Sequence, residues 1–384
     1  MTTVIVGAGA AGLACAKHLR ELDPARAIHL IDKDPDAPYD RPPLSKGLTG
    51  QGPAGSGLRD LTDAAIHVHI GTATRLESDV RTIHTDTGPI EYDELVLAPG
   101  SRPLRAPWAS DAVLALHSLA DNRRLRAAVA NSDRAIVVGG GFIGAELAAS
   151  LNAAQVSTTL LFRDGTLFRS RLGTEVSGAI SDWHTSAGVA LVGDATVDAV
   201  TGRPDTATRV TLTDGRHFDA DLVVAGVGSK PDTGWLAGSG MLGEDGHIMT
   251  DASLRTALPA VWAAGDSASW ADADGGLVRS AHWTTARSQG RHIASDIAAE
   301  ATTRYREEPY FWSLQHGNLL QGVGRIQPHA SRRDVTRTPA SRDGLLARYV
   351  VDGHLVGAVG LNDPQGFLSL RAELADELRP AASR

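Results

Sequence analysis

The stretch Val4-Ile5-Val6-Gly7-Ala8-Gly9-Ala10-Ala11-Gly12 decides the fold, because an apolar run passes directly into a glycine-rich turn. Leu13 to Leu22 then has the apolar spacing of a helix, and Ile28 to Ile31 has the character of a second strand, which ends on Asp32. A GxGxxG turn between strand and helix lets the backbone approach a pyrophosphate, whose charge the helix N-terminus stabilises. An acid about 20 residues later suits the ribose hydroxyls. The stretch therefore predicts a dinucleotide-binding βαβ unit whose cofactor contacts are Gly7, Gly9, Gly12 and Asp32.

A second copy of this pattern begins at Ile136, where Ile136-Val137-Val138 leads into Gly139-Gly140-Gly141-Phe142-Ile143-Gly144. An alanine-rich helix and a strand from Thr158 to Phe162 follow, so Gly139, Gly141, Ile143 and Gly144 are predicted to contact a second dinucleotide. Phe162 and Arg163 occupy the strand end, where a carboxylate would favour NAD. Arg163 could instead pair with the 2′-phosphate of NADP, and the alternative is a solvated loop arginine. The choice between NADH and NADPH stays open.

Three further apolar strands end on glycine or lead into it: Leu95 to Gly100, Leu222 to Gly228, and Ala260 to Ala264 before Gly265-Asp266. A helical pattern from Thr284 to Ala299 follows, and alternating segments beyond Glu307 indicate antiparallel strands. We predict an α/β protein with two Rossmann-like dinucleotide-binding domains, of the glutathione-reductase-like fold, and a C-terminal α+β domain. The predicted boundaries are 1–108 and 234–305 for a split first dinucleotide-binding domain, 109–233 for a second one and 306–384 for a C-terminal interface domain.

Composition excludes several classes of protein. The chain has 384 residues and a formal net charge of −8, which argues against nucleic acid as a partner. No apolar run approaches the roughly 20 residues of a membrane span, so we expect no membrane association and a cytoplasmic location. Cys15 is the only cysteine, and this excludes an intrachain disulfide or a CxxC redox pair. We expect Cys15 to be a buried small hydrophobe, and we assign no metal site.

Six stretches occur in the order seen in FAD-dependent NAD(P)H:ferredoxin reductases, a family that the chain resembles over nearly its whole length. They are Gly7 to Gly12, Tyr39-Asp40-Arg41-Pro42-Pro43-Leu44-Ser45-Lys46, Leu95 to Pro103, Gly139 to Glu146, Ala264-Gly265-Asp266 and Phe311-Trp312-Ser313. The RPPLSK and GGGFIG stretches are specific to this group, whose members serve monooxygenases and Rieske dioxygenases. GxGxxG and AGD are shared by many flavoproteins.

The resemblance implies where each part of FAD would lie. The ADP part would meet the first glycine turn, including Ala11, with Asp32 or Lys33 at the ribose and the backbone of Ala73 on the adenine side. Lys46 would lie beside the isoalloxazine, Asp266 would hold the ribitol and pyrophosphate, and Trp283 would lie at the pyrimidine end. The remaining residues that we assign to cofactor binding are Arg41, Gly100, His117, Gly228 and Gly265.

The resemblance also implies a catalytic group of Lys46, Glu146 and Trp312. Glu146 looks like the family glutamate that reaches Lys46 across the domain interface, and Trp312 resembles an aromatic residue near the flavin and the iron-sulfur docking site. For Glu146 the alternative is an ordinary helix glutamate, and for Trp312 it is core packing. Several positions depart from the family pattern, and these departures bear on coenzyme affinity and on partner docking. They are Pro99, His117, Ala281, Leu314 and His316.

The implied reaction is hydride transfer from NAD(P)H to FAD, followed by single-electron transfer to a [2Fe-2S] ferredoxin that feeds a cytochrome P450 or a Rieske oxygenase. The arginine-rich run Arg325, Arg332, Arg333, Arg337, Arg342 and Arg348 is a candidate docking face for an acidic ferredoxin, and the alternative is a solvated loop. Two other readings stay open: a ferredoxin-independent NAD(P)H oxidase or diaphorase, and a redox sensor like apoptosis-inducing factor. The sequence leaves open whether the protein is a monomer or a homodimer.

Overall fold

The computed structural model describes residues 1–36, 38–48, 61, 64–202, 207–271, 276–326, 332–338 and 343–377. The chain forms two compact units, each assembled from separate segments. The first consists of Met1–Pro42, Pro53–Arg102 and Ser229–Pro309, and the second of Pro43–Gly52, Pro103–Gly228 and Tyr310–Arg384. The predicted three-domain boundaries stay a prediction.

The elements of the first unit, numbered in chain order, come from the N-terminal third of the chain and from its return after residue 228. The helices are α1 (Ala10–Leu22) and α6 (Trp283–Ala298). The strands are β1 (Thr2–Val6), β2 (Ala27–Asp32), β3 (Ile66–Ile70), β4 (Ala73–Glu77), β5 (Thr82–Thr85), β6 (Gly88–Glu91), β7 (Glu94–Leu97), β8 (Ser101–Pro103), β17 (Ser229–Pro231), β18 (Ile248–Thr250), β19 (Val261–Ala263), β20 (Ala268–Ala271) and β21 (Leu277–Val278).

A five-stranded parallel sheet with the order β19-β7-β1-β2-β3 forms the centre of the first unit. Both faces of this sheet are covered: Ile5 belongs to the apolar cluster that includes α1 and α6, while Val4 and Val6 belong to a second cluster. Burial on both faces explains why β1 is continuously apolar instead of alternating. Two three-stranded sheets, β4-β5-β6 and β18-β20-β21, accompany it.

The second unit contains the other helices and strands. The helices are α2 (Leu119–Val129), α3 (Phe142–Ala153), α4 (Arg169–Leu172), α5 (Thr174–Ser186) and α7 (Pro364–Glu377). The strands are β9 (Val113–Ala115), β10 (Arg134–Val138), β11 (Ser157–Leu161), β12 (Ala190–Val192), β13 (Val197–Thr201), β14 (Thr208–Leu212), β15 (His217–Ala220), β16 (Leu222–Ala225), β22 (Tyr310–Gln315), β23 (Asn318–Gly324), β24 (Arg332–Arg337), β25 (Leu345–Val351) and β26 (His354–Leu361). Three short 3-10 helices complete the described elements: Gly234–Leu236 and Gly265–Ser267 belong to the first unit, and Pro42–Ser45 begins at its last residue before the second-unit segment Pro43–Gly52.

Besides the small antiparallel sheet β13-β14-β15, the second unit contains a parallel sheet and a larger antiparallel one. The parallel sheet has the order β12-β11-β10-β16-β9 and repeats the strand-turn-helix arrangement of the first unit, with β10 leading into α3. The antiparallel sheet has the order β22-β23-β26-β25-β24, and α7 packs on it through Phe367, Leu370 and Leu374. The predicted fold class is confirmed.

Individual elements agree closely with their predicted positions, except at the helix starts. Helix α1 begins at Ala10 instead of Leu13, because the glycine turn itself forms the first helical residues after Gly9. Cys15 is fully buried, and burial raises the pKa of its thiol to about 12, as expected for a small hydrophobe. No helix within the described ranges is long and apolar enough to cross a membrane.

Candidate dinucleotide sites and a buried charged pair

The first glycine turn joins β1 to α1 and leaves the helix N-terminus without a side-chain cap. Gly7 adopts φ +102°, which only glycine adopts without strain, and a methyl group at Gly12 would lie less than 3.0 Å from the carbonyl oxygen of Gly7. The space beside Gly9 is open to 4 Å. Backbone donors at a bare helix end with open space beside them are what a pyrophosphate requires.

Asp32 lies at the end of β2, as predicted, and its carboxylate also holds the turn together. One oxygen accepts a hydrogen bond from the backbone N–H of Ala8, and the other accepts one from Asp34 at 2.8 Å. Lys33 points elsewhere, because its ammonium group pairs with the carboxylate of Asp232 and its side chain is half exposed. Of the two predicted ribose contacts, Asp32 therefore faces the turn, whereas Lys33 is engaged in an ion pair.

Asp266 lies at the start of the 3-10 helix after β19, partly buried, and accepts a hydrogen bond of 2.9 Å from the hydroxyl of Ser101. Burial raises its pKa, while the Ser101 hydrogen bond and the nearby charges of Arg41 and His247 lower it. Gly265 adopts φ +75° beside it, and its N–H donates to the side-chain oxygen of the fully buried Gln289. The amide nitrogen of Gln289 has no hydrogen-bond partner among the described residues.

The other predicted contacts of the first unit occupy element ends. Ala73 begins β4, Gly100 follows β7 with φ +73°, and Trp283 begins α6. The indole N–H of Trp283 donates to Asp40 at 3.0 Å, and the guanidinium of Arg287 stacks on its ring at 4.5 Å. A bare helix end, a part-buried carboxylate and an unsatisfied buried amide fit the phosphates and hydroxyls of a dinucleotide such as FAD.

The second glycine turn joins β10 to α3 in the same way. Gly139 adopts φ +123°, and a methyl group at Gly144 would approach the carbonyl oxygen of Gly139 to less than 3.0 Å. Gly141 precedes the helix without a side-chain cap, and Ile143 in the first turn is 50% exposed. Gly228, after β16, has φ +107°. A second bare helix end therefore exists for a second dinucleotide.

At the end of β11, Phe162 is buried against Gly140, and Arg163 is exposed. His117, predicted to contact FAD, lies in the second unit before α2, where its backbone N–H donates to the carboxylate of Asp121 at 3.2 Å. That carboxylate belongs to the capping box of α2. The structure gives the backbone of His117 a role in a helix cap.

The predicted group of Lys46, Glu146 and Trp312 is brought together within the second unit. The ammonium nitrogen of Lys46 lies 2.8 Å from Oε2 of Glu146 and 4.7 Å from the centre of the Trp312 ring. Glu146 is 6% exposed on α3, and its side chain also accepts hydrogen bonds from the hydroxyls of Ser45 and of Ser313, the latter at 2.7 Å. A buried carboxylate is stable only when it is paired and hydrogen-bonded, and these three donors meet that requirement.

Several residues around Glu146 received no role in the sequence analysis. Ser45 and Ser313 stand within stretches that carry the family resemblance, so their proximity to Lys46 and Trp312 was a usable signal. No signal in the sequence pointed to Gln315 or His184, because His184 lies on α5 and meets β22 only after folding. Within the described residues no cluster of histidine, cysteine or acid side chains is arranged to hold a metal ion.

Two bare glycine turns on parallel sheets indicate two dinucleotide sites, the arrangement expected of flavin- and nicotinamide-dependent oxidoreductases. Residues 1–290 match the family described as pyridine nucleotide-disulphide oxidoreductase, and residues 310–384 match the family described as reductase C-terminal. The chain belongs to the pyridine nucleotide-disulphide oxidoreductase family.

Similar proteins within this family indicate a narrower class of oxidoreductase. Rhodocoxin reductase from Rhodococcus erythropolis is 31% identical over 98% of this chain and 90% of its own length. The ferredoxin–NAD(+) reductase component of the anthranilate 1,2-dioxygenase system from Burkholderia cepacia is 33% identical over 94% of this chain and 90% of its own length. The covalent putidaredoxin reductase–putidaredoxin complex matches with a TM-score of 0.90 at 28% identity, covering 98% of this chain and 93% of that chain. The protein is an oxidoreductase of the ferredoxin reductase type that uses FAD and NAD(P)H.

Proposed function

We propose that the first unit binds FAD, that the second binds NAD(P)H, and that the protein delivers single electrons to an acidic [2Fe-2S] ferredoxin feeding a cytochrome P450 or a Rieske oxygenase. The observation that carries this proposal is the buried pair of Lys46 and Glu146 with Trp312 beside it. We further propose a split FAD domain of 1–108 and 234–305, an NAD(P) domain of 109–233 and an interface domain of 306–384. The location would be cytoplasmic, and the assembly a monomer or homodimer.

Each group in the site has a task that follows from its surroundings. FAD, when bound, accepts a hydride from the nicotinamide and releases electrons one at a time. Lys46 holds a positive charge beside the proposed isoalloxazine position, where negative charge develops on reduction. Before reduction, Glu146 balances the positive charge of Lys46. Its carboxylate is kept in place by three donors, Lys46, Ser45 and Ser313. Asp266 and Asp32 orient hydroxyl groups, and the glycine turns supply backbone donors to phosphates.

Cysteine chemistry contributes nothing to this cycle. Cys15 is the only cysteine and is buried within α1, so the protein has no thiol pair with which to relay electrons. A bound flavin would therefore supply electrons to the acceptor without a thiol relay, and Trp312, whose ring centre lies 4.7 Å from the ammonium nitrogen of Lys46, is the aromatic side chain that we place on that side of it. A one-electron acceptor needs close approach and no covalent step.

The test is an anaerobic titration of the purified flavoprotein with NADH and NADPH separately, in which loss of the visible absorption of oxidised flavin is followed. A [2Fe-2S] ferredoxin is then mixed with the reduced protein. We expect fast bleaching with one of the coenzymes and prompt reduction of the ferredoxin. A flavin that neither coenzyme bleaches overturns the proposal, and so does a reduced flavin that passes electrons to oxygen but not to ferredoxin.

A further inference from the structure

A line of hydrogen-bonded polar side chains, most of them buried, leads from Glu146 to the C-terminal end of β22. Ser313 and Gln315 are fully buried on one face of this strand, while Leu314 between them is 41% exposed. Gln315 donates to Ser313 at 3.1 Å, His184 on α5 lies 2.9 Å from the oxygen of Gln315, and His316 lies 3.1 Å from His184. With the bond from Ser313 to Glu146, four consecutive hydrogen bonds connect His316 to the carboxylate.

The chemistry of the groups fixes the direction of every bond in this line. The hydroxyl of Ser313 has one proton, which goes to the Glu146 carboxylate, so Ser313 must accept from the amide nitrogen of Gln315. The oxygen of Gln315 then faces Nε2 of His184, which must carry a proton. A neutral His184 consequently accepts at Nδ1 from Nε2–H of His316. All four donors therefore point towards Glu146.

The protonation of His184 agrees with this assignment. Its side chain is fully buried, and burial lowers its pKa to about 4, so the ring is neutral at physiological pH. Burial also lowers the pKa of His316. A protonated His184 would lose the lone pair that receives His316, and the line would break at that point.

The turn that contains His316 does not itself require a histidine, which indicates that the imidazole ring has another role. His316 and Gly317 form the two-residue loop between β22 and β23, with φ +50° and +77°, and such loops favour Asn-Gly. The loop Asp352-Gly353 between β25 and β26 has the same geometry, with φ +51° and +84°. Among the described residues, Asp352 contacts neither Glu146 nor His184, whereas the ring of His316 packs edge to face against His184, with the ring centres 4.7 Å apart.

We propose that His184 and His316 are positioning residues that hold the Glu146 carboxylate towards Lys46 through Gln315 and Ser313. The proposal rests on the proposed function, since the importance of the Lys46–Glu146 pair comes from it. Orientation is the role that the line supports, because the amide of Gln315 does not readily exchange protons between its nitrogen and its oxygen and so interrupts a proton path. A carboxylate held by three donors on two oxygens has few alternative orientations.

The first measurement is structural and needs no turnover. In the flavoprotein labelled with ¹⁵N-histidine, we expect His184 to be protonated at Nε2 only, and His316→Asn to shift its Nδ1 resonance because the donor is gone. His316→Asn keeps a residue that the turn favours, so folding is preserved. A His184 protonated at Nδ1, or one whose resonances ignore His316→Asn, overturns the proposal.

The second measurement follows flavin reduction in single turnovers, where the limiting rate and the coenzyme dissociation constant are separated. We expect the limiting rate to fall about tenfold in His184→Leu and about threefold in His316→Asn, the range of one lost hydrogen bond, with coenzyme binding unchanged. His184→Gln, which keeps one donor and one acceptor, should restore most of the rate. Asp352→Asn is the matched control for the turn and should leave the rate unchanged.

The outcomes separate the two proposals. If Asp352→Asn slows reduction as much as His316→Asn does, or if His184→Gln fails as His184→Leu does, the positioning role is wrong. If Glu146→Gln leaves the rate unchanged while the histidine resonances behave as expected, the hydrogen-bonded line exists and the proposed role of the Lys46–Glu146 pair is wrong.

Discussion

Phe162 and Arg163 are neighbours at the end of β11, but the first side chain is buried and the second is exposed to solvent. Phe162 is buried and packs against Gly140 in the second glycine turn, so an apolar ring fills the place where a carboxylate would hydrogen-bond the ribose of NAD. Arg163 is exposed. We therefore propose that Arg163 decides between the coenzymes at this strand end, by a charge-assisted hydrogen bond to the 2′-phosphate of NADPH.

We expect Arg163→Ala to raise the KM for NADPH by about 10- to 100-fold, the value of one charged hydrogen bond, and to leave the KM for NADH unchanged. Steady-state kinetics with both coenzymes measure this. Arg209→Ala is the matched control, because Arg209 is an exposed arginine of the same unit that pairs with Asp219 away from the glycine turn. Equal effects on both coenzymes, or none on either, would show that Arg163 does not contact the 2′-phosphate.

Among single residues, those with a local spacing signal or a place in the family resemblance could be predicted from the sequence. Asp32 stands at the end of β2, and Lys46, Glu146 and Trp312 meet as the family resemblance implied. The hydrogen-bonding partners of Lys33 could not be predicted, because Asp232 lies 199 residues away in the sequence and meets it only after folding. The predicted cofactor contact of Lys33 stays a prediction.

At the scale of elements, α1 and α6 approach each other closely at a glycine. A methyl group at Gly290 on α6 would lie less than 3.0 Å from the carbonyl oxygen of Ala11, and this oxygen belongs to backbone that cannot move aside without shifting α1. Since α1 begins at the first glycine turn, the packing at Gly290 also fixes the helix end that we propose for the FAD pyrophosphate.

We expect Gly290→Ala to destabilise the protein by about 1–3 kcal/mol, the usual cost of an overpacked core, and to weaken FAD retention. Gly178 on α5 provides the matched comparison, because the same methyl group would meet nothing within 4 Å there. Gly178→Ala should stabilise by about 0.5–1 kcal/mol through helix propensity. Thermal unfolding and flavin release are the measurements; a Gly290→Ala protein with unchanged Tm would contradict the packing argument.

Strands with a continuous apolar run could be predicted, and equally short strands of mixed burial could not. β1, β10, β7 and β16 are buried runs that lead into glycine, and each was recognised near its observed bounds. The sheet β13-β14-β15 was not predicted, since strands of four or five residues with mixed burial carry little periodic signal. The order of strands within each sheet depends on long-range pairing and likewise left no local trace.

The arginine run of the C-terminal region shows the same limitation. Arg348 pairs with Glu373 on α7, and Arg333 approaches Glu175 on α5, so these two charges are partly compensated within the protein. Arg342 lies outside the described residues. Two of the six arginines thus have acidic partners that are distant in sequence, and a basic docking face along this run stays a prediction.

For the whole molecule, the net charge of −8 competes with any local basic docking site. Two acidic proteins repel each other at long range, while a local arginine patch attracts an acidic partner at short range. Salt screens both effects, so the sign of the salt dependence shows which of them governs docking.

We expect ferredoxin reduction to slow as salt is raised, because the proposed docking surface attracts an acidic partner locally, while reduction of a small neutral dye should stay constant. Stopped-flow rates with both acceptors over a range of ionic strength test this. A rate of ferredoxin reduction that rises with salt would show that overall repulsion dominates, and a dye rate that falls in parallel would show that salt acts on the flavin site instead of on docking.

The interleaving of the two units has a consequence for how the protein is made. The first glycine turn leaves the ribosome well before β19, which covers the edge of β7 and ends at residue 263, and Gly290 follows later still. Until then the nascent chain exposes an unpaired parallel strand, a template for pairing with another chain. Protection of this edge therefore comes only after the segment Pro103–Gly228 of the second unit has been made, and a ribosome that stalls within that segment leaves the first unit unfinished.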